Sequence, residues 1–480
     1  MFALAALGTD ATAGTPGCGF AQPAFCETFE AVPAPMHDRG RGNELRRSRF
    51  SVTRYEPSLS TGNGQAFWVW QAELGKMQGE PETCRDDVPE LLLPTIDTLV
   101  CEPGGAIGTR YLLSAVGAQN YGSNALRLRQ PFDFAARTGR IAFDADVYNN
   151  FLLGYHSVVI SADPTPTPSW DINGRGPNPR DGVMIILAGA GIDVHQVSDY
   201  PMTVLPGEPG TLSGVRGRLA HVEIRLSQQQ IEILTSQPSS DGITFGPLVS
   251  RRSVVFPQPL RFTRGYVSLL GHNHATWKYA MSFGNLTRPM RSWNTYWDNI
   301  GFDGPVIDRT REYEIPDAGV VSTESTTDTV PPGMQTTIVH TGMSLGYVIP
   351  NDSAQMSAPL TFTGVSLANA TRARLVFNGY DQDYNEDGIR LGTGRLHYRI
   401  NDAPVHIRAF TAGEVAMLDT PGQTGGYNHS VDLPLAELRD GDNTVRFSTA
   451  HIGSGYPNAV TNLDLLIDFD PQRVFADSFG

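Results

Sequence analysis

Apolar residues alternate with polar ones at a period of two in segment after segment of this chain, a pattern that suits strands and not helices. Arg140 to Tyr148 puts Ile141, Phe143, Ala145 and Val147 on one face and Asp144, Asp146 and Tyr148 on the other. The first face is expected to be core and the second wet. His221 to Leu226 repeats the pattern, Gln228 and Gln229 lie near a turn, and Ile231 to Leu234 resumes it, which predicts a hairpin. Gly265 to His274 continues the series. Long amphipathic helical stretches are absent, and 50 glycines with 34 prolines in 480 residues supply the turns of an all-β chain. That length suits two ordinary domains, each with its own core.

Composition shifts after Pro305, and Ser322 to Pro332 has the Ser, Thr and Pro content of a linker or surface loop, so a boundary is expected near residue 310. Residues 1–17 read as a leader, 18–309 as the first domain, 310–472 as the second and 473–480 as a tail. Strand-like runs recur at Ala373 to Phe377, Leu396 to Ile400 and Asn443 to Phe447. Asp163 to Trp170 is too rich in proline for a central strand and reads as a loop.

A net charge of −14 argues against nucleic acid and anionic membrane surfaces, which need basic patches, and no apolar run is long enough for a membrane span. Arginine is nevertheless concentrated at Arg39, Arg41, Arg46, Arg47 and Arg49, a charged edge that a polyanionic ligand can also meet. The four cysteines, Cys18, Cys26, Cys84 and Cys101, fall in the first fifth of the chain without a C-x-x-C pair, and so read as disulfides. Of three connectivities, Cys18 with Cys26 and Cys84 with Cys101 is favoured by proximity. Met1 to Leu7 resembles a shortened signal-peptide core, with Ala11 to Ala13 as a small-residue cleavage site; an ordinary leader is the alternative.

Phe25 to Phe29, Arg127 to Phe134, Glu223 to Ser227, Thr263 to Val267 and Trp297 to Pro305 together resemble segments of secreted concanavalin A-like lectin/glucanase-fold proteins. The resemblance covers about residues 18 to 305 and implies a jelly roll and a glycan ligand. Leu433 to Phe447 resembles a late strand and its entry in galactose-binding-like or carbohydrate-binding β-sandwiches. Val474 to Gly480 resembles tails of secreted proteins of some Gram-negative bacteria. The expected fold is therefore all-β, two β-sandwich (jelly-roll) domains.

Several constellations are candidates for chemistry. Asp144 and Asp146 share a strand face at a spacing compatible with the carboxylate pair of a retaining glycosidase, although the Glu-x-Asp-x-x-Glu run of laminarinase-type enzymes is missing. His272 and His274, on the strand face of Tyr266 and Ser268, can chelate copper or zinc with His156 as a third ligand. With Tyr279 they can instead serve a polysaccharide lyase. Trp277, Trp293 and Arg46 are candidate substrate contacts, whereas Trp297 reads as structural. Asp381, Asp383, Asn385 and Asp387, followed by Gly388, offer oxygen ligands at alternate positions, as a calcium loop does.

The expected function is a secreted, bacterial carbohydrate-active protein that binds and cleaves a polysaccharide, as a glycoside hydrolase or lyase. One alternative is a non-catalytic protein that binds a cell-surface glycan or mediates adhesion; another is a copper- or zinc-dependent enzyme built on the histidines.

Overall fold

The computed structural model describes residues 16–28, 36–38, 49–55, 65–71, 84–85, 100–101, 110–117, 122–136, 139–145, 154–164, 179–188, 191–199, 201–206, 220–236, 245–273, 279–283, 286–290, 292–307, 309–315, 347–350, 354–380, 395–409, 411–413, 426–449 and 458–470, in several strands as backbone only. The described chain is built almost wholly from antiparallel strands. They form two β-sandwiches of the jelly-roll class.

In the first sandwich a nine-stranded sheet runs in the order Val249–Val255, Gln230–Ser236, Ala220–Leu226, Arg140–Ala145, Ser292–Phe302, Arg110–Gly117, Gln65–Gln71 and Met36–Asp38, with Phe25–Glu27 also on Ser292–Phe302. Facing it, an eight-stranded sheet runs Met202–Val204, Gly191–Ser198, Asp181–Ala188, Gly154–Ser161, Arg264–Asn273, Gly122–Leu128 and Phe50–Tyr55, with Phe132–Asp133 beside Arg264–Asn273. The alternation dictates which side chains meet between them. Ile141, Phe143 and Ala145 from one sheet share a core with Val158, Ile160, Val267 and Leu269 from the other. Trp297 is buried there against Phe143, the ring centroids 5.4 Å apart. The expected hairpin is present: Leu226 pairs with Ile231, and the Ser227 hydroxyl accepts from the Gln229 and Gln230 amides at the turn.

The second sandwich packs a five-stranded sheet of Thr310–Glu314, Asn458–Phe469, Ala370–Tyr380 and Gly426–Leu433, with Tyr347–Ile349 also on Asn458–Phe469, onto a four-stranded sheet of Leu360–Val365, Gly441–Thr449, Arg395–Ile400 and His406–Ala409. Leu375, Phe377, Leu465 and Ile467 meet Phe362, Leu396 and Phe447 in its core.

The two sandwiches dock through outward-facing residues. On the eight-stranded sheet Val267 and Leu269 point inward, so Tyr266 and Ser268 occupy the opposite face; that face is expected to be open, yet both residues are buried. Arg127, 1 % exposed, lies in register with Ser268, donates to Glu312 of the second sandwich and stands 3.7 Å from Asp464. Arg129 reaches Glu312 at 3.4 Å and Glu314 at 3.1 Å, and the Ser51 hydroxyl donates to Glu314. Further along the seam, Tyr266 and Thr310 share a 3.3 Å contact, Thr310 donates to Asp468, and Arg374 is held between Asp163 and Asp468. Burial works against the charge on Arg127, but Glu312 and Asp464 outweigh it and raise its pKa.

Removing one member of a buried ion pair leaves the other charged and uncompensated, at a cost of roughly 3–5 kcal/mol. Arg127→Ala is therefore expected to lower the free energy of denaturant unfolding by about that amount. A change under about 0.5 kcal/mol, as at an ordinary surface position, would show that the seam does not hold the sandwiches together.

Candidate functional site

Asp144 is the candidate catalytic residue the structure describes most fully, and it does not lie on a wet face. Its strand, Arg140–Ala145, runs between Ala220–Leu226 and Ser292–Phe302, putting Asp144 in register with His221 on one side and Asp298 on the other. His221 donates from Nδ1 to Asp144 Oδ1 at 2.6 Å, since a carboxylate only accepts. The register slips between Ala142 and Asp144, and Asn299 takes φ 48°, a left-handed conformation that asparagine tolerates better than most residues. This bulge lets the Asn299 amide donate to Asp144 Oδ2 at 2.7 Å. Asp144 is 0 % exposed and both its oxygens are engaged.

The N-terminal segment closes this cluster. Cys18 and Cys26 form a disulfide, and Phe25–Glu27 pairs with Ser292–Phe302. Gly19, at φ 88°, lies against the His221 ring so closely that a Cβ there would meet it at 2.7 Å. Gly301 meets Cys18 in the same way. The Phe245 ring tilts against His221 at 5.6 Å. Arg49, from the arginine-rich stretch, pairs with Glu27 at 2.7 Å and covers the Phe25 ring. The arrangement is chemically an anchored carboxylate–imidazole pair under a cross-linked cover, out of reach of a glycosidic bond.

The other candidates are dispersed. His272 stands in Arg264–Asn273, on the eight-stranded sheet, whereas Asp144 is on the nine-stranded one; the core lies between the two sheets, so these residues do not share a polar face. His156 is in register with Leu187, a core residue, whereas His272 is in register with Tyr155. The two histidines thus stand at register positions of opposite parity in neighbouring strands of one sheet. Tyr279 opens Tyr279–Phe283, part of a separate two-stranded ribbon with Leu286–Met290, and Trp293 lies in Ser292–Phe302. Cys84 and Cys101 stand directly opposite each other in their own ribbon. Arg46, Asp146, His274, Trp277 and the calcium-loop residues Asp381, Asp383, Asn385 and Asp387 lie outside the described residues.

Sequence reading missed His221 and Asn299. Both are visible as polar interruptions, one at the start of an alternating strand and one in Trp297-Asp-Asn-Ile300, but nothing in either segment says that they meet at Asp144. It also missed a set of carboxylates at the seam: ligand oxygens of Glu312, Glu314 and Asp464 lie within 4.8 Å of one another. Arg127 and Arg129 pair with these carboxylates. Beside them a cleft of about 540 Å³ opens between the sandwiches, with Arg374, Asp163 and Asp468 along it and Arg264, Arg309 and Arg372 among its lining.

No family model matches the chain, and no curated protein matches it. Among solved structures, it is similar to the exoplasmic/lumenal domain of VIP36 bound to Ca2+ and Man3GlcNAc, at 12% identity and TM-score 0.27, over 42% of this chain and 81% of that one. A mixed-linkage glucan GH16 protein of Bacteroides ovatus with a bound product matches at 8% identity and TM-score 0.31, over 56% and 99%. The carbohydrate-binding module CBM66 of Bacillus subtilis matches at 6% identity and TM-score 0.21, over 39% and 84%.

Two buried histidines give opposite pH signatures. Burial pushes His195 below its ordinary value of 6.5, with Asp193 opposing. The unfolded chain then binds the proton first, so the associated stability is complete above about pH 6.5 and declines as pH falls towards the folded value. Burial acts the same way on His221, but the hydrogen bond and charge of Asp144, with Glu223, outweigh it and raise its pKa. That stability is complete below about pH 6.5 and is lost as pH rises through the folded value. In paired melting curves, His195→Leu should flatten the acid-side loss and His221→Gln the alkaline-side loss. Parallel pH profiles for wild type and either variant would refute the corresponding assignment.

Reducing the Cys18–Cys26 bridge releases an eight-residue separation, worth about 2.5 kcal/mol by loop entropy. Cys18→Ser with Cys26→Ser should lower stability by roughly that much and raise hydrogen exchange at His221 and Asp144. Unchanged exchange there would mean that the cover holds without its cross-link.

Proposed function

We propose that this chain is a secreted glycan-binding protein of bacterial origin, a two-module recognition device and not a polysaccharide-cleaving enzyme. The glycan class is supported by the motif resemblance together with two antiparallel sandwiches, although such a fold alone hosts many ligands. Secretion is supported by the Cys18–Cys26 disulfide, which persists in oxidising compartments. The choice of binding over hydrolysis is supported by one observation: Asp144 is sealed and doubly hydrogen-bonded, so it cannot serve as the nucleophile or acid of a glycosidase pair. Asp381, Asp383, Asn385 and Asp387 hold a structural calcium ion in this reading, a role that fits their alternate oxygen ligands.

The test is a panel of neutral and acidic polysaccharides presented to the full chain, with calcium or with chelator, scoring both retention and released product. Retention without new reducing ends or unsaturated uronates is expected, and chelation should lower the melting temperature by ligand linkage in wild type but not in Asp383→Ala. Product release would overturn the binding reading. Asp146→Asn, His274→Ala and Tyr279→Phe would then sort hydrolase from lyase, and copper and zinc content in His272→Ala would expose a metal enzyme.

A further inference from the structure

We infer that the cleft between the two sandwiches is a binding site for a carboxylate-bearing saccharide, a uronic acid unit; this rests on the glycan-binding reading and adds the place and the charge of the ligand. The cleft is a composite. Asp163, Arg264 and Tyr266 come from the first sandwich, Arg309 from the junction, and the second sandwich contributes Thr310, Arg372, Arg374 and Asp468 among others.

Arg374 is nine-tenths buried and committed to Asp163 and Asp468, so its charge is neutralised within the seam. The remaining cations are accessible. Arg264 is half-exposed and only 3.5 Å from Asp133, Arg372 pairs with an exposed Asp432, and exposed Arg309 makes no side-chain hydrogen bond or ion pair among the described residues. Exposed pairs of this kind are weak and exchange readily for a better acceptor. In a chain of net charge −14, three accessible guanidinium groups are gathered around one cleft.

The chemistry of the lining narrows the anion. Guanidinium groups recognise a carboxylate with two parallel hydrogen bonds. Asp163, Asp468 and Asp470, also in the lining, would repel a doubly charged phosphate but can accept hydrogen bonds from sugar hydroxyls. Thr371 adds a hydroxyl, and one face of the Phe469 ring is covered by the Arg311 guanidinium, 4.0 Å from the ring centroid. Cations for one carboxylate and acceptors for several hydroxyls together describe an acidic sugar.

Titration calorimetry with an oligogalacturonate, an alginate oligomer and a matched neutral galactose oligomer tests this on the full chain. The probes are applied to wild type and to the Arg264→Gln/Arg309→Gln double variant. Both substituted side chains are exposed, so unchanged thermal unfolding should confirm that the variant is folded. Wild type is expected to bind a uronate probe with an affinity that falls as salt rises, and the double variant should bind it at least about tenfold more weakly. Neutral-glycan binding should be equal in both. Wild type that binds a neutral glycan but neither uronate would overturn this inference and leave the glycan reading standing, as would equal uronate affinity in the double variant. Wild type that binds no glycan at all would overturn both.

Discussion

Arg127 is the most deeply buried cation in the seam that fixes how the two sandwiches sit together. A guanidinium that is 1 % exposed is held in place by Glu312 and Asp464, which belong to the other sandwich. Desolvating such groups is costly, and its Nε and Nη1 find no hydrogen-bond partner, so the pairing is not a source of large net stability. Its effect is directional. Only one relative placement matches Arg127 and Arg129 to Glu312 and Glu314 while matching Arg374 to Asp163 and Thr310 to Tyr266. Apolar surfaces can slide over one another, whereas an array of charges has one register.

The same physics explains Asp144. A carboxylate in a dry sheet layer needs donors, and the structure supplies two, from His221 directly across the strand pair and from Asn299 through a bulge. Both partners come from later in the chain, 77 and 155 residues away, on the two strands that flank Asp144. The cover formed by Gly19 and the disulfide then keeps the cluster away from water, and the pair positions three strands instead of exposing an acid.

Strand identity was legible in the sequence because period two is a local signal. Ile141, Phe143 and Ala145 face the core as their spacing predicts, as does Val267 beside Tyr266, and Leu226 turns back onto Ile231. The fate of the other face was not legible. Asp144, Ser268, Tyr266 and Arg127 all occupy outward positions and all are buried, because alternation records which side of a sheet a residue takes and says nothing of what is laid on that side. The candidate site suffered most from this. Same-face pairs within one strand could be read, but whether Asp144 and His272 share a sheet depends on strand order, and strand order is set by pairings across more than a hundred residues.

One consequence of the seam concerns how such a chain can change over evolutionary time. Two sandwiches joined by a tether are ordinarily exchangeable parts, free to be duplicated, lost or recombined with new neighbours. Here each carries outward charges that pair with charges of the other, so a transplanted first sandwich would arrive with Arg127 lacking these acids, and a transplanted second one with Glu312 and Asp464 lacking Arg127. Recombination at their junction is therefore penalised on both sides, and the pair should be inherited as one unit.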